Sequence, residues 1–396
     1  MAADRKVYLD NTATTAVLPE VVEAMLPYLR ESYGNPQSLH SWGDAAREGV
    51  EKAREQVGKL INASPEEIIF TASGTEANNL AIKGLAQAQA SNGKHIVVSA
   101  IEHFSVLHAT RTLEKAGYEV TAVPVDKYGL VDPDEIVRSI RKDTILVSVM
   151  HANGEVGTIE PVAEIASKVK EAGVLFHTDA VASTGNIPVD VKALGIDALS
   201  LAGSQFYGPK GAAALWVRKG LRLIPLMDGG VQEGGRRPGT EDVPAIVGLG
   251  KAAEMAGGDM VSRTAKLTKL RDKLIGGLLG SVGHTILTGH PTQRLPHHAS
   301  FCIEFIEGEA MLMLLSSQGI AVSSGSACTS RALKASHVLI AMGLPHEIAQ
   351  GSLLYGLGLD NGQEDIDYVL EKLPPVVDRL RQMSPLYAKF VREGRG

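Results

Sequence analysis

From Ile68 to Val217 short apolar, β-branched runs alternate with stretches of helical periodicity, and this alternation restricts the fold more than any other feature. The runs at 68–71, 95–99, 121–125, 144–149, 174–177 and 212–217 read as strands. Between them, 106–116, 133–140 and 162–172 place apolar residues at helical spacing, and another helix starts at Glu76. Near-continuous apolar strands separated by helices imply an α/β chain with a mostly parallel sheet covered on both faces. Such sheets take their ligands at the carboxyl ends of the strands, so the residues that follow each strand are the candidates for chemistry.

Outside this block, 7–9 reads as a strand, 10–15 as a polar turn, and 19–29 and 41–61 as helices. The pattern changes near Gly257-Gly258: a helix at 264–279, strands at 300–305 and 320–323, and helices at 335–342 and 366–383 read as a smaller α+β domain. The expected division is a large domain at 16–262 and a small one built from 1–15 and 263–396. A chain of 396 residues, 44% of them hydrophobic, is long enough for more than one core.

Charge and composition remove several classes of function. The formal net charge is -6, and no clustered basic stretch suggests nucleic-acid binding. No run of about 18 apolar residues suggests a membrane span. The N-terminal stretch lacks the apolar core of a signal peptide. Two cysteines do not make a disulfide framework, so a reducing, cytoplasmic location is expected.

After the strands stand four candidates. Thr75 lies in Thr71-Ala72-Ser73-Gly74-Thr75-Glu76, where a helix N-terminus and a hydroxyl suit an anion, although the same residues serve as an ordinary cap. His103 follows 95–99 and could stack on a planar ring or be purely structural. Asp179 follows 174–177 and could pair with a ring nitrogen or simply cap a helix. The segment from Gly229 to Glu241, with Arg237 and Thr240, is too glycine-rich for a core. Further on, Cys328 sits among small polar residues, which suits an exposed thiol, whereas Cys302 lies in an apolar strand and reads as inert core.

Taken together these motifs resemble the group I cysteine desulfurases, class V enzymes of the pyridoxal phosphate (PLP) fold type I. The resemblance runs over essentially the whole chain. It includes residues 8–15, Tyr33-Gly34-Asn35-Pro36, residues 74–79, Glu102-His103, residues 236–241 and the Cys328 loop. It implies a fold type I large domain, and PLP contacted by Thr75, His103, Asp179 and Thr240. It further implies a homodimer in which residues 229–241 reach the partner's cofactor phosphate, and Cys328 as the residue that carries persulfide sulfur to an acceptor or iron–sulfur scaffold protein. Cys328 is also a possible cluster ligand.

The departures from that family concentrate in its active site. Gln205 stands where the Schiff-base lysine belongs, and an amide nitrogen is not nucleophilic. Ser204 replaces a histidine, Ala202 a phosphate-binding serine, Ala182 a glutamine, Gly154 an asparagine, and Leu354 the arginine for the substrate carboxylate. Loss of such a bidentate contact typically costs about 2–5 kcal/mol. Lys210 belongs to the Gly-Pro-Lys-Gly turn and is poorly placed as a substitute. The expectation is a diverged, desulfurase-like pseudoenzyme of sulfur mobilisation that does not hold PLP as a Schiff base and retains Cys328. Two other readings stay open: an enzyme that binds PLP non-covalently, and a non-catalytic dimeric partner or regulator.

Overall fold

The computed structural model describes residues 5–325 and 335–394. Its largest sheet has seven strands: β2 (Ile68–Thr71), β3 (His95–Ser99), β4 (Glu119–Val123), β5 (Thr144–Ser148), β6 (Leu175–Asp179), β7 (Ala198–Ala202) and β8 (Ala213–Val217). They lie in the order β2-β8-β7-β6-β5-β3-β4. β3 to β7 run parallel, and β8 is antiparallel to both of its neighbours. The side chains of β3 alternate between the two faces, as the period of two demands: Val97 joins one buried apolar cluster, and Ile96 and Val98 join the other. The chain therefore has the α/β architecture with a mostly parallel sheet that the alternating pattern implies.

Both ends of one edge strand moved for physical reasons. β4 spans 119–123 rather than 121–125, because Pro124 has no N–H for a ladder. It is also the edge strand, which lets the polar residues Glu119 and Thr121 take part.

A second group of strands forms a separate core. β10 (His298–Ile303) pairs antiparallel with β12 (Ser352–Gly356) and with β9 (Thr285–Leu287). β1 (Val7–Tyr8) runs parallel to β11 (Ile320–Ala321), which carries the N-terminal Val7 and Leu9 into the cluster holding Phe301, Tyr355 and Leu373. The expected break at Gly257-Gly258 is absent. One helix, Val243–Ser281, runs through both glycines. Its first half buries Leu249 and Ala256 in the sheet core, and its second half buries Leu267, Leu274 and Leu278 in the other. Each glycine costs about 1 kcal/mol against alanine in a helix. Burial of a leucine contributes about 1.5–3 kcal/mol, which outweighs that cost.

Candidate functional site

The carboxyl ends of β2, β3, β6 and β7 bring the candidates together. Asp179 is the last residue of β6 and is buried. The Asn78 side-chain amide donates to its Oδ2 at 2.6 Å, and the Val181 N–H donates to its Oδ1 at 3.0 Å. Asn78 also donates to Ser105 Oγ at 2.8 Å, and that hydroxyl lies 2.7 Å from His103 Nδ1. A single polar chain thus links His103, Ser105, Asn78 and Asp179. Burial pushes the Asp179 carboxyl above its ordinary range, while His103 and the two donors pull the other way. His103 caps the Phe104–Lys115 helix, accepting from the Ser105 N–H at 3.1 Å, and its ring is exposed.

Thr75 is exposed in the first turn of the Gly74–Ala88 helix. Ser73 caps that turn by accepting from the Glu76 N–H at 3.1 Å, and Glu76 reaches back to the Ala72 N–H at 2.8 Å. Arg237 donates to the same Glu76 carboxylate at 2.8 Å, so residues 229–241 are fastened beside this helix start. Thr240 is exposed.

The departed positions are neighbours of one another. A Cβ on Gly154 would lie 3.7 Å from the Ala182 Cβ, so two adjacent places carry no polar side chain. Ala202 lies against the phosphate-type corner, 3.6 Å from where a Gly74 Cβ would be, and its methyl offers no donor. Asn186 donates to the main-chain carbonyls of both Ala182 and Gln205 at 3.2 Å. The Gln205 amide donates to the Ala13 carbonyl at 3.3 Å. The Ser204 carbonyl accepts from the Thr15 N–H at 2.9 Å and its hydroxyl at 3.0 Å. Leu354 is buried in β12, its main chain paired with Ser323. It lines a cavity of about 10 Å³ with Glu155, Ser300 and Ser352. Lys210 is exposed within the Gly-Pro-Lys-Gly turn.

Sequence reasoning missed three buried groups here. Asn78 sits inside a quoted motif, but nothing marked it as the link to Asp179. Glu102 accepts from Ser99 Oγ at 2.6 Å and the Met150 N–H at 2.8 Å, and burial pushes its carboxyl up to about 8. Burial likewise pushes Glu155 up to about 8, with a Ser336 hydrogen bond opposing. Cys302 is buried and its thiol is pushed up to about 12, as suits an inert core cysteine. Cys328 lies outside the described residues.

Pyridoxal phosphate fits one half of this site. A protonated ring nitrogen would complete the buried Asp179 carboxylate, His103 offers a ring face, and the Gly74–Ala88 helix start suits a phosphate. The other half does not fit. Residue 205, expected from the sequence as the position for covalent attachment, is a glutamine whose amide is bonded to Ala13, and residues 154, 182, 202 and 354 present only bare backbone, methyl groups or a leucine side chain. No reaction step through the cofactor follows from these residues.

A mostly parallel α/β sheet with a buried aspartate closing β6 and a helix start after β2 is the arrangement of the fold type I class. The chain belongs to the class-V aminotransferase family, which it matches over residues 7–369, and is a homologue of the cysteine desulfurases. It is 52% identical over 389 residues to the cysteine desulfurase IscS of Methanosarcina thermophila, covering 98% of this chain and 96% of that one. It is 50% identical over 382 residues to cysteine desulfurase IscS 1 of Archaeoglobus fulgidus, covering 96% and 100%. Among solved structures, a NifS-like protein superimposes with a TM-score of 0.90 at 39% identity, covering 95% and 100%.

Proposed function

We propose that this chain is a diverged member of the cysteine desulfurase branch that serves sulfur mobilisation without desulfurating cysteine by the lysine-dependent route. The observation that carries the reading is Gln205, whose side-chain amide occupies the lysine position and is engaged by the Ala13 carbonyl. In this reading Cys328 takes up persulfide sulfur or serves a cluster on a scaffold protein. The protein works in the cytoplasm as a homodimer. The exposed apolar side chains of Tyr33, Leu39, Trp42 and Val231 support a second copy as partner, and a Gln37–Glu241 hydrogen bond at 3.4 Å joins the two segments that carry them. No helix among the described residues is long and apolar enough to cross a membrane.

A second reading has support of its own. The intact Asp179–Asn78–Ser105–His103 chain favours a site that binds PLP without a covalent bond. One experiment separates the two: the cofactor content of the protein as isolated, with alanine and sulfide release from cysteine measured on the same sample. The proposal expects no bound cofactor, no alanine, and persulfide uptake that disappears in Cys328→Ala. Bound PLP without release favours the second reading. Robust alanine release sinks the proposal, and unchanged uptake in Cys328→Ala leaves only a non-catalytic partner or regulator.

A further inference from the structure

Cys328 lies between two described flanks, one ending at Gly325 and one beginning at Ala335, and both flanks are fastened. On the first, the Ser323 and Leu354 main chains exchange hydrogen bonds at 3.1 and 2.9 Å, and the Gly325 N–H donates to Ser352 Oγ at 3.2 Å. On the second, Ser336 caps the His337–Ala341 helix by accepting from the Val338 and Leu339 N–H groups at 3.1 and 3.3 Å. The His337 ring centroid lies 4.6 Å from that of Phe104, and its Nε2 lies 3.0 Å from the Glu102 carbonyl. The first flank thus rests on β12, and the second on the turn that holds His103.

One side chain touches both flanks. Glu155 accepts from the Ser336 side chain, and its Oε1 lies so close to Gly325 that a Cβ there would overlap it. The turn that aims Glu155 is itself fixed. Asn153 Oδ1 accepts from the Glu155 and Val156 N–H groups at 2.8 and 2.9 Å, and the Asn153 amide donates to the Ile101 carbonyl at 3.1 Å. The cavity beside Glu155 has about 10 Å³, room for one water at most, and is too small for a substrate. Oε1 is buried and has no hydrogen-bond partner among the described residues. A buried carboxyl with one oxygen unsatisfied costs stability that an apolar side chain of the same shape would not. Packing alone therefore does not account for Glu155, whereas contact with both flanks of the Cys328 segment does.

We infer that Glu155 is a positioning residue for Cys328: by holding Gly325 and Ser336 it sets where the segment that carries the thiol leaves and rejoins the fold. This rests on the reading of Cys328 as the sulfur-carrying residue. The contact is made by an uncharged carboxyl, since burial pushes Glu155 up to about 8. From β10 the titratable group facing it is the Cys302 thiol, pushed up to about 12. Ser352 on β12, Gly325 and Ser336 bring no charge to it.

The test uses the full chain and reads Cys328 directly, as its rate of alkylation by iodoacetamide, located by peptide mass spectrometry with buried Cys302 as the control. Amide hydrogen exchange at 323–325 and 336–339 reads the flanks. Glu155→Ala is expected to speed both by roughly fivefold at pH 7, and Glu155→Gln, which keeps shape and neutrality, to stay within about twofold of wild type. Gly325→Ala, whose methyl would meet Oε1, is expected to act like Glu155→Ala and to add nothing to it in the double variant, as partners in one contact do. From pH 7 to 9 the wild-type alkylation rate divided by that of Glu155→Gln should climb by roughly threefold, because Glu155 ionises in wild type alone and the ratio cancels the titration of the thiol. Should Glu155→Ala fail to fold, Gly325→Ala and the pH ratio carry the same comparison. Rates in Glu155→Ala equal to wild type, or a flat pH ratio, overturn the inference and leave the Cys328 reading standing. A wild-type protein that takes up no persulfide sinks the Cys328 reading and this role with it.

Discussion

The two halves of the site differ in what they keep. Around Asp179 the polar groups form one chain: the Asn78 amide nitrogen reaches two partners, Ser105 links it to His103, and the aspartate is sealed at the strand end. Around Gln205 the main chain is fastened by Thr15 and Asn186, the Gln205 side-chain amide itself donates to the Ala13 carbonyl, and Gln205, Ala182 and Ala202 offer no amine or hydroxyl. The difference teaches that shape and reactivity are held by different atoms. The main-chain hydrogen bonds to Thr15 and Asn186 do not depend on which side chain stands at 205.

The largest effect expected from this contrast is all-or-none. Gln205→Lys restores a primary amine at the departed side while leaving the retained side untouched. Wild type treated with pyridoxal phosphate and borohydride is expected to gain no stable mass at residue 205, and the variant is expected to gain one. Alanine release from cysteine should stay absent in the variant, because Leu354, Gly154 and Ala182 still lack their polar groups. Mass spectrometry of the reduced protein checks the first point, and an alanine assay the second. A variant that gains no mass would break the comparison, since the ring side would then also have lost its fit.

Much of this was legible in the sequence. Pattern and Gly-Pro-Lys-Gly turn placed the strands, and the sequence raised 154, 182, 202, 204, 205 and 354 one by one as expected departures. What could not be read was adjacency. Gly154 and Ala182 are near neighbours through folding alone, and Asn78 and Asp179 are 101 residues apart. The long helix was misread because a glycine pair looks like a break to local propensity, while packing against two cores decides the outcome.

Each half of the site also hides a carboxyl that is neutral at pH 7. Glu102 borders the retained side and Glu155 the departed one, and Glu160 lies further along the same loop. All three are pushed up to about 8, mainly by burial. The folded protein therefore holds protons that the unfolded chain has lost. Stability is full at low pH from these groups, falls as pH rises towards 8, and levels above it. Between pH 6.5 and 8 the buried histidines His151, His177 and His297, whose values are pushed below 6.5, stay neutral in the fold while the unfolded chain's histidines lose their protons, so each adds a smaller opposing rise of about 0.4 kcal/mol, most of it near pH 6.5. Each carboxyl contributes at most about 1.4 kcal/mol per pH unit, or about 2 kcal/mol over this window. Urea midpoints across pH 6.5–8.5 should fall in wild type and fall less steeply in Glu102→Gln and in Glu155→Gln. Equal flattening would mean the two sides share one electrostatic environment. A slope unchanged in Glu155→Gln would place the departed side in contact with water.

The smallest effect sharpens the comparison by testing room rather than charge. A Cβ on Gly154 meets the Ala182 Cβ at 3.7 Å, which is ordinary contact, and Gly154 does not have a positive φ. Gly154→Ala is then a substitution the native backbone accepts, and it removes freedom from the unfolded chain, a gain of about 0.4–1 kcal/mol offset by slight crowding. The same change at Gly74, on the phosphate-type corner, drives a methyl to 2.6 Å from the Val181 Cγ2. Overpacking of this kind costs about 1–3 kcal/mol. Denaturation midpoints should therefore stay level or rise slightly in Gly154→Ala and drop in Gly74→Ala. The departed side is vacant in its side chains and not strained in its backbone, so it accepts atoms that the retained side refuses. A clear loss of stability in Gly154→Ala would show that the bare backbone at 154 is itself required, and that the missing side chain there was exchanged for a new contact.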